Sequence, residues 1–175
     1  LSFPASFMLV AAMNPCPCGY HGDARGKCRC TPDQVARYRH KLSGPLLDRI
    51  DLHVEVPPVE YEQLSSNLKS ESSAAIRERV NAARAIQLDR FKGANITSNA
   101  RIPSGMLRKA CPLTDAASAM LKNVFDRLGL SARAYDRLLK VARTIADLDK
   151  SEIIDTAHLA ESVQYRSLDR KYWRL

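Results

Sequence analysis

Four cysteines fall within fifteen residues, as Cys16-Pro17-Cys18 and Cys28-Arg29-Cys30. Two short-range thiol pairs suit a tetrahedral Zn²⁺ site, with four thiolates at about 2.3 Å. Gly19, Gly22 and Gly26 lie between the pairs and ease the turn that brings them together. C-x-C is rarer than C-x-x-C, and His21 or His40 offers a substitute for one thiolate. The alternative is four reduced thiols in a flexible loop. A closed four-thiolate set leaves no open position for water, so zinc here is structural rather than catalytic. Cys111 stands alone and is read as a small buried hydrophobe.

Three other residues attract attention. Asn14 ends the apolar run Phe7-Met8-Leu9-Val10-Ala11-Ala12-Met13 and precedes Pro15. An amide at a strand's carboxyl end can orient a water against a γ-phosphate, or it can simply turn the chain. Arg49, in Leu46-Leu47-Asp48-Arg49-Ile50-Asp51, either offers a charged fork to a phosphoryl group or pairs locally with Asp48 or Asp51. Arg133 falls in the first turn of a helix capped by Ser131. There it either completes an anion site or faces water at a small helix-dipole cost. Arg133, Arg137 and Lys140 share a helical face, with Arg143 following. That face suits nucleotide, nucleic acid or plain solvent.

The elements that position these residues are read as follows. Residues 5–13 form a near-continuous apolar run, which suits a strand of a parallel sheet. Residues 15–31 are loop. Thr31-Pro32-Asp33-Gln34 signals a capped helix to about Leu42. Asp51 to Val56 alternates and reads as a second strand, ended by Pro57-Pro58. A serine-rich connection occupies residues 65–73. A helix from Ser73 to Phe91 presents Ile76, Val80, Ala83 and Ile86 on one face. Helices over 114–128, 132–148 and 157–165 follow, the first stopped by Gly129. The expected fold is an α/β remnant of a P-loop AAA+ core, with parallel-sheet strands, followed by an all-α helical lid bundle. Its expected divisions are 1–58 with the zinc loop at 15–31, a linker and connecting helix over 59–100, and the lid over 101–175. With no initiating Met and few strands, the chain reads as a piece of something longer.

Composition narrows the classes. The 175 residues carry a net charge of +8, which permits an acidic partner such as DNA. Residues 1–60 hold 7 Lys+Arg and 6 Asp+Glu, whereas residues 101–175 hold 14 and 9. No apolar run is long enough to span a membrane, and the first residues do not read as a secretory leader. Five cysteines without a leader suit a reducing compartment. The sequence contains no G-x-x-x-x-G-K-[ST] phosphate loop and no apolar run ending in Asp-Glu to hold Mg²⁺. The chain by itself is expected not to hydrolyse nucleotide.

Several stretches together resemble a known family. Val10-Ala11-Ala12-Met13-Asn14-Pro15-Cys16-Pro17-Cys18-Gly19 and Leu42 through Asp51 are two of them. Leu130-Ser131-Ala132-Arg133-Ala134-Tyr135, Val141 through Leu148 and Tyr165 through Arg170 complete the set. They resemble the magnesium-chelatase-like AAA+ ATPases and, among those, the YifB/ComM branch of bacterial competence proteins. The resemblance covers nearly the whole chain and corresponds to the carboxyl-terminal third of such a protein. It implies an ATP- and Mg²⁺-dependent motor in the bacterial cytoplasm, assembled as a hexameric ring with copies of itself. It further implies a helicase that drives branch migration of DNA in natural transformation and recombination. By resemblance Asn14 is the sensor-1 residue, Arg49 the arginine finger and Arg133 the sensor-2 residue. Two other readings stand beside this one. The first is a zinc-stapled module that binds nucleic acid or protein without ATPase activity. The second is the AAA+ subunit of a metal chelatase.

Overall fold

The computed structural model describes residues 1–166 except 2, 4, 6, 24, 60, 62–64 and 66–69. Most of the 62–69 connection and the last residues of the expected lid therefore lie outside the described residues. The chain divides into two compact units, Leu1–Gly44 and Pro45–Leu175.

In the first unit, helix α1 (Pro32–Arg39) starts where the capping pattern places it. The Gln34 N–H donates to Thr31 Oγ1 at 3.3 Å, and the Thr31 N–H donates back to Gln34 Oε1 at 3.0 Å. Pro32 occupies the first turn, where its missing N–H costs nothing. The helix ends three residues short of Leu42. A further helical turn, α2 (Gly44–Leu47), starts at the last residue of this unit and otherwise belongs to the second.

Apart from one isolated bridge, the described regular structure of the second unit is helical. Helix α3 (Ser73–Arg90) is capped by Ser72. Short helical turns at Asn99–Arg101 and Ser104–Met106 lead into α4 (Leu107–Ala110). Helix α5 (Asp115–Leu128) begins at the Thr114 cap and stops at Gly129, whose φ of 59° is left-handed and costs a glycine little. Helix α6 (Ala132–Leu148) has the bounds its sequence signals, with Ser131 Oγ accepting the Ala134 N–H at 3.1 Å. Helix α7 is Thr156–Gln164. Leu138, Leu139, Ala142 and Ala146 of α6 pack with Leu121, Ile154, Leu159, Phe91 and Ile102 to form the core. Phe125 and Tyr135 meet edge to face, with centroids 6.0 Å apart, and join α5 to α6.

The expected parallel-sheet remnant is overturned. Among the described residues there is no strand, only one isolated parallel bridge between Leu113 and Ile154. The two segments read as strands, 5–13 and 51–56, have no regular structure where they are described. Phe7 is 77% exposed, Val10 82% and Val56 82%. The physical reason is that hydrophobic alternation reports only side-chain pattern. A sheet also needs a second backbone about 4.8 Å away to take its N–H and C=O groups. The 51–56 segment finds a different acceptor: the His53 N–H donates to the Tyr165 carbonyl at 2.8 Å.

The α3 face also needs correction. Ala83 is buried and Ile86 half-buried, but Ile76 and Val80 on the same stripe are exposed. Among the described residues nothing covers the first half of the stripe. No described helix is long and apolar enough to cross a membrane.

Candidate metal centre and candidate phosphate-facing residues

The cysteine loop closes on itself. Gly19 and Gly26 donate to the carbonyls of Cys16 and Asp23, each at 3.0 Å, in two tight turns. Gly19, Gly22 and Gly26 all have positive φ, which the chain reversal requires. The result gathers Cys16, Cys18, Cys28 and Cys30, with all four sulfurs within 4.8 Å of one another. Cys16 Sγ lies 3.3 Å from Cys18 Sγ and 3.8 Å from Cys28 Sγ, and Cys18 Sγ lies 3.6 Å from Cys28 Sγ. Four thiolates held tetrahedrally at about 2.3 Å from one ion stand about 3.8 Å apart. The donor set and its spacing therefore fit a metal ion. Neither His21 nor His40 joins the group.

The thiols are electrostatically unequal. N–H groups of Tyr20 and Arg29, with the Cys16 thiol, pull Cys18 down to about 6. At Cys30 the Cys18 N–H lowers the value, but the Cys18 side chain, desolvation and Cys16 push it up to about 12. Cys28 receives the Cys30 N–H, yet desolvation and its sulfur neighbours raise it overall. Backbone N–H groups aimed at sulfur suit thiolates bound to a cation. Cys111, in the other unit, is buried as its sequence position suggests, and burial pushes its thiol up to about 11.

Asn14 is exposed and follows an irregular segment rather than a strand. Its amide makes no hydrogen bond among the described residues. It lies beside Gly19, where an added Cβ would come within 3.9 Å of its Cγ and Nδ2.

In the second unit, Arg49 and Arg133 are both exposed. The local ion pair open to Arg49 does not form, and both neighbouring carboxylates meet other donors. Asp48 Oδ2 accepts the Ser131 hydroxyl at 3.2 Å, and Asp48 Oδ1 accepts Arg166 Nη2 at 3.4 Å. Asp51 Oδ1 accepts Arg137 Nη1, which also donates to the Arg49 carbonyl. Arg49 itself donates only to the Pro45 carbonyl, at 2.6 Å, among the described residues. Arg133 has no partner among them. The structure thus brings the Arg49 turn to the amino terminus of α6, two residues from Arg133.

The basic residues of α6 differ in exposure. Arg133 is exposed and Arg137 and Lys140 half-buried, whereas Arg143 is 0% exposed. Its Nε donates to Asp147 Oδ1 at 3.1 Å, and its Nη atoms reach the carbonyls of Glu152 (2.7 Å) and Ser151. Arg90 Nη1 meets Asp147 Oδ2 at 2.9 Å, and Asn99 Nδ2 meets the same oxygen at 2.7 Å. Burial pulls the Arg143 guanidinium down from its ordinary value, with Asp147 opposing; the hydrogen bond to Asp147 raises that of Arg90. This network joins α3, the Asn99 turn and α6. A signal for it existed: Arg143 borders the apolar arc of Ala142, Ala146 and Leu139 and pairs with Asp147 at i,i+4.

Comparison with known proteins bears on these residues. Residues 1–64 match the family model described as magnesium chelatase, subunit ChlI. Residues 70–166 match the model described as magnesium chelatase, subunit ChlI C-terminal. The uncharacterized protein YifB of Escherichia coli is 47% identical over 171 residues, 97% of this chain and 33% of the relative. Competence protein ComM of Haemophilus influenzae is 42% identical over 176 residues, 100% of this chain and 33% of the relative. An uncharacterized protein of Mycobacterium tuberculosis is 39% identical over 146 residues, 83% and 28%. The chain spans about one third of the length of these curated relatives.

Proposed function

The chain belongs to the magnesium-chelatase ChlI family, and from that premise we propose that it is the carboxyl-terminal part of a ring-forming ATPase resembling ComM. In this reading the longer protein binds ATP with Mg²⁺ and moves DNA. This chain supplies the groups that close over the triphosphate. Asn14 orients water, Arg49 meets the phosphoryl group of a neighbouring copy in a hexamer, and Arg133 contacts phosphate from the first turn of α6. The sequence offers neither a phosphate loop nor an acidic Mg²⁺ site, so the nucleotide's own cradle lies elsewhere in the longer protein. The cysteine cluster takes a structural zinc ion that staples its loop.

The observation that carries the reading is the state of Arg49. Two carboxylates within two residues of it are both occupied by other cations and a hydroxyl. That leaves an exposed guanidinium with no carboxylate partner among the described residues, poised on an anchored turn. A charge-stabilising arginine of this kind is worth roughly 10³–10⁵ in turnover. In the longer protein, Arg49→Ala is expected to abolish ATP hydrolysis while nucleotide binding persists. Near-normal hydrolysis in that variant refutes the role.

A second reading rests on the cysteine cluster and the net charge of +8. It makes the chain a zinc-stapled module that binds nucleic acid without hydrolysis. It requires DNA binding by this chain that weakens steeply with salt. Absence of binding to duplex and branched DNA at low salt removes it.

A further inference from the structure

We propose that Arg137 is a positioning residue, which fixes the Asp48–Asp51 turn onto helix α6 and so ties Arg49 to the helix end that carries Arg133. The inference rests on the reading of Arg49 as a phosphoryl-facing group, and it deepens that reading by naming how the group is held.

Three side chains make the tie. Arg137 Nη1 bridges the Arg49 carbonyl and Asp51 Oδ1, so one guanidinium fixes both the backbone and the side chain that flank Ile50. Arg166 reaches the same turn from beyond α7, donating to the Ile50 carbonyl at 3.3 Å and to Asp48. Ser131 closes the set. Its Oγ accepts the Ala134 N–H as the α6 cap, and its hydroxyl proton goes to Asp48 at 3.2 Å. Asp48 therefore sits one residue before Arg49 and is bonded to a residue two before Arg133.

The chemistry of the tie distinguishes it from ordinary surface pairing. Exposed ion pairs contribute little to stability, about 0–1 kcal/mol. Asp51 is mostly exposed, with 59% of its side chain accessible, so its pair with Arg137 does little for the fold. What the bridge does accomplish is geometric. Both bonds leave one nitrogen, Nη1, whose two N–H groups lie in the rigid guanidinium plane and so fix the two acceptors relative to each other. The bridge removes freedom from the backbone that carries Arg49, while the Arg49 side chain is left to meet a ligand. Any displacement of α6, such as phosphate contact at Arg133 would produce, is passed to Arg49 through Ser131 and Arg137.

Two measurements test this. In the 175-residue chain, ¹⁵N relaxation of the wild type should give rigid amides at 48–51, with order parameters near about 0.85. Arg137→Ala should lower those at 49–51 toward about 0.6, while α6 and α7 stay unchanged. In the longer protein, Arg137→Ala should lower kcat for ATP hydrolysis about ten- to a hundredfold, the loss that a misplacement near 1 Å produces. The KM for ATP should stay within about twofold. Asp51→Asn, a gentler change at an exposed carboxylate, should act in the same direction. The double variant should be little worse than Arg137→Ala alone.

Unchanged order parameters at 49–51, an unchanged kcat, a loss confined to KM, or strictly additive single effects would each overturn the proposal. Arg49→Ala separates the two levels. If it leaves hydrolysis intact, the phosphoryl-facing role fails. If it abolishes hydrolysis while Arg137→Ala does not lower it, the positioning role alone fails.

Discussion

Removing the negative charge of Asp147 should damage the second unit more than any other single isosteric change. The side chain is 0% exposed and accepts from Arg90, Asn99 and Arg143. Asp147→Asn preserves shape but turns one acceptor into a donor that faces other donors. It also leaves Arg143, itself 0% exposed, without a counter-charge. Stripping one partner from a buried ion pair costs about 3–5 kcal/mol. The side chain of Arg90 is 21% exposed and can recover water, so the lower part of that range applies to its share. At about 4 °C per kcal/mol for a unit of this size, the midpoint should fall by roughly 12–20 °C. Urea denaturation of the chain followed by circular dichroism gives the same quantity as a shift in midpoint at constant slope. The companion variant Arg143→Met removes the stranded cation, so the double variant Arg143→Met/Asp147→Asn should cost less than the sum of the singles. A loss below about 1.5 kcal/mol for Asp147→Asn is what a neutral hydrogen bond is worth, and would show that the network is not an obligate ionic one. Additive singles would say the same.

Elemental analysis of the purified chain should find about one zinc per chain, as a four-thiolate centre demands. Chelation should unfold the 16–30 loop without melting the helical unit; a metal-free chain with an unaltered, fully stable loop contradicts the centre. The acid limb of stability should carry the signature of Asp155, whose carboxyl is held below its ordinary value by the Thr156 N–H and then the Thr114 hydroxyl. A carboxyl depressed on folding stabilises above its unfolded value near about 4, and the contribution disappears as pH falls through the folded value. Asp155→Asn should therefore be less stable than the parent at pH 7, and the gap should close on acidification; a gap that persists undiminished at the acid end refutes the assignment.

Much of the helical unit was legible because helix ends are decided locally. A cap such as Ser131 or Thr114 needs only an N–H two or three residues on, and Gly129 needs only its own missing Cβ. The cysteine pairs were legible for the same reason, since glycine turns between near neighbours bring the thiols together. The strands were misread because pairing is not local: the runs at 5–13 and 51–56 carry strand-like side chains but, among the described residues, no ladder of paired backbone. The Asn99 amide, which reaches Thr144 at 3.1 Å as well as Asp147, had no sequence signal at all.

The residue order by itself determined the capped starts of the longer helices, the Gly129 stop and which thiols can meet, because those outcomes depend on groups within a dozen or so positions. Tertiary structure alone decided which charges are compensated. Arg143 was drawn into the interior by the packing of α6 against its neighbours, with Asp147 as its counter-charge. Arg49 is exposed, while Asp48 and Asp51, its nearest carboxylates in sequence, meet Ser131, Arg137 and Arg166 from 83 to 118 residues away. Coulombic and hydrogen-bond partners are set by distance in space, and only the folded chain fixes that distance.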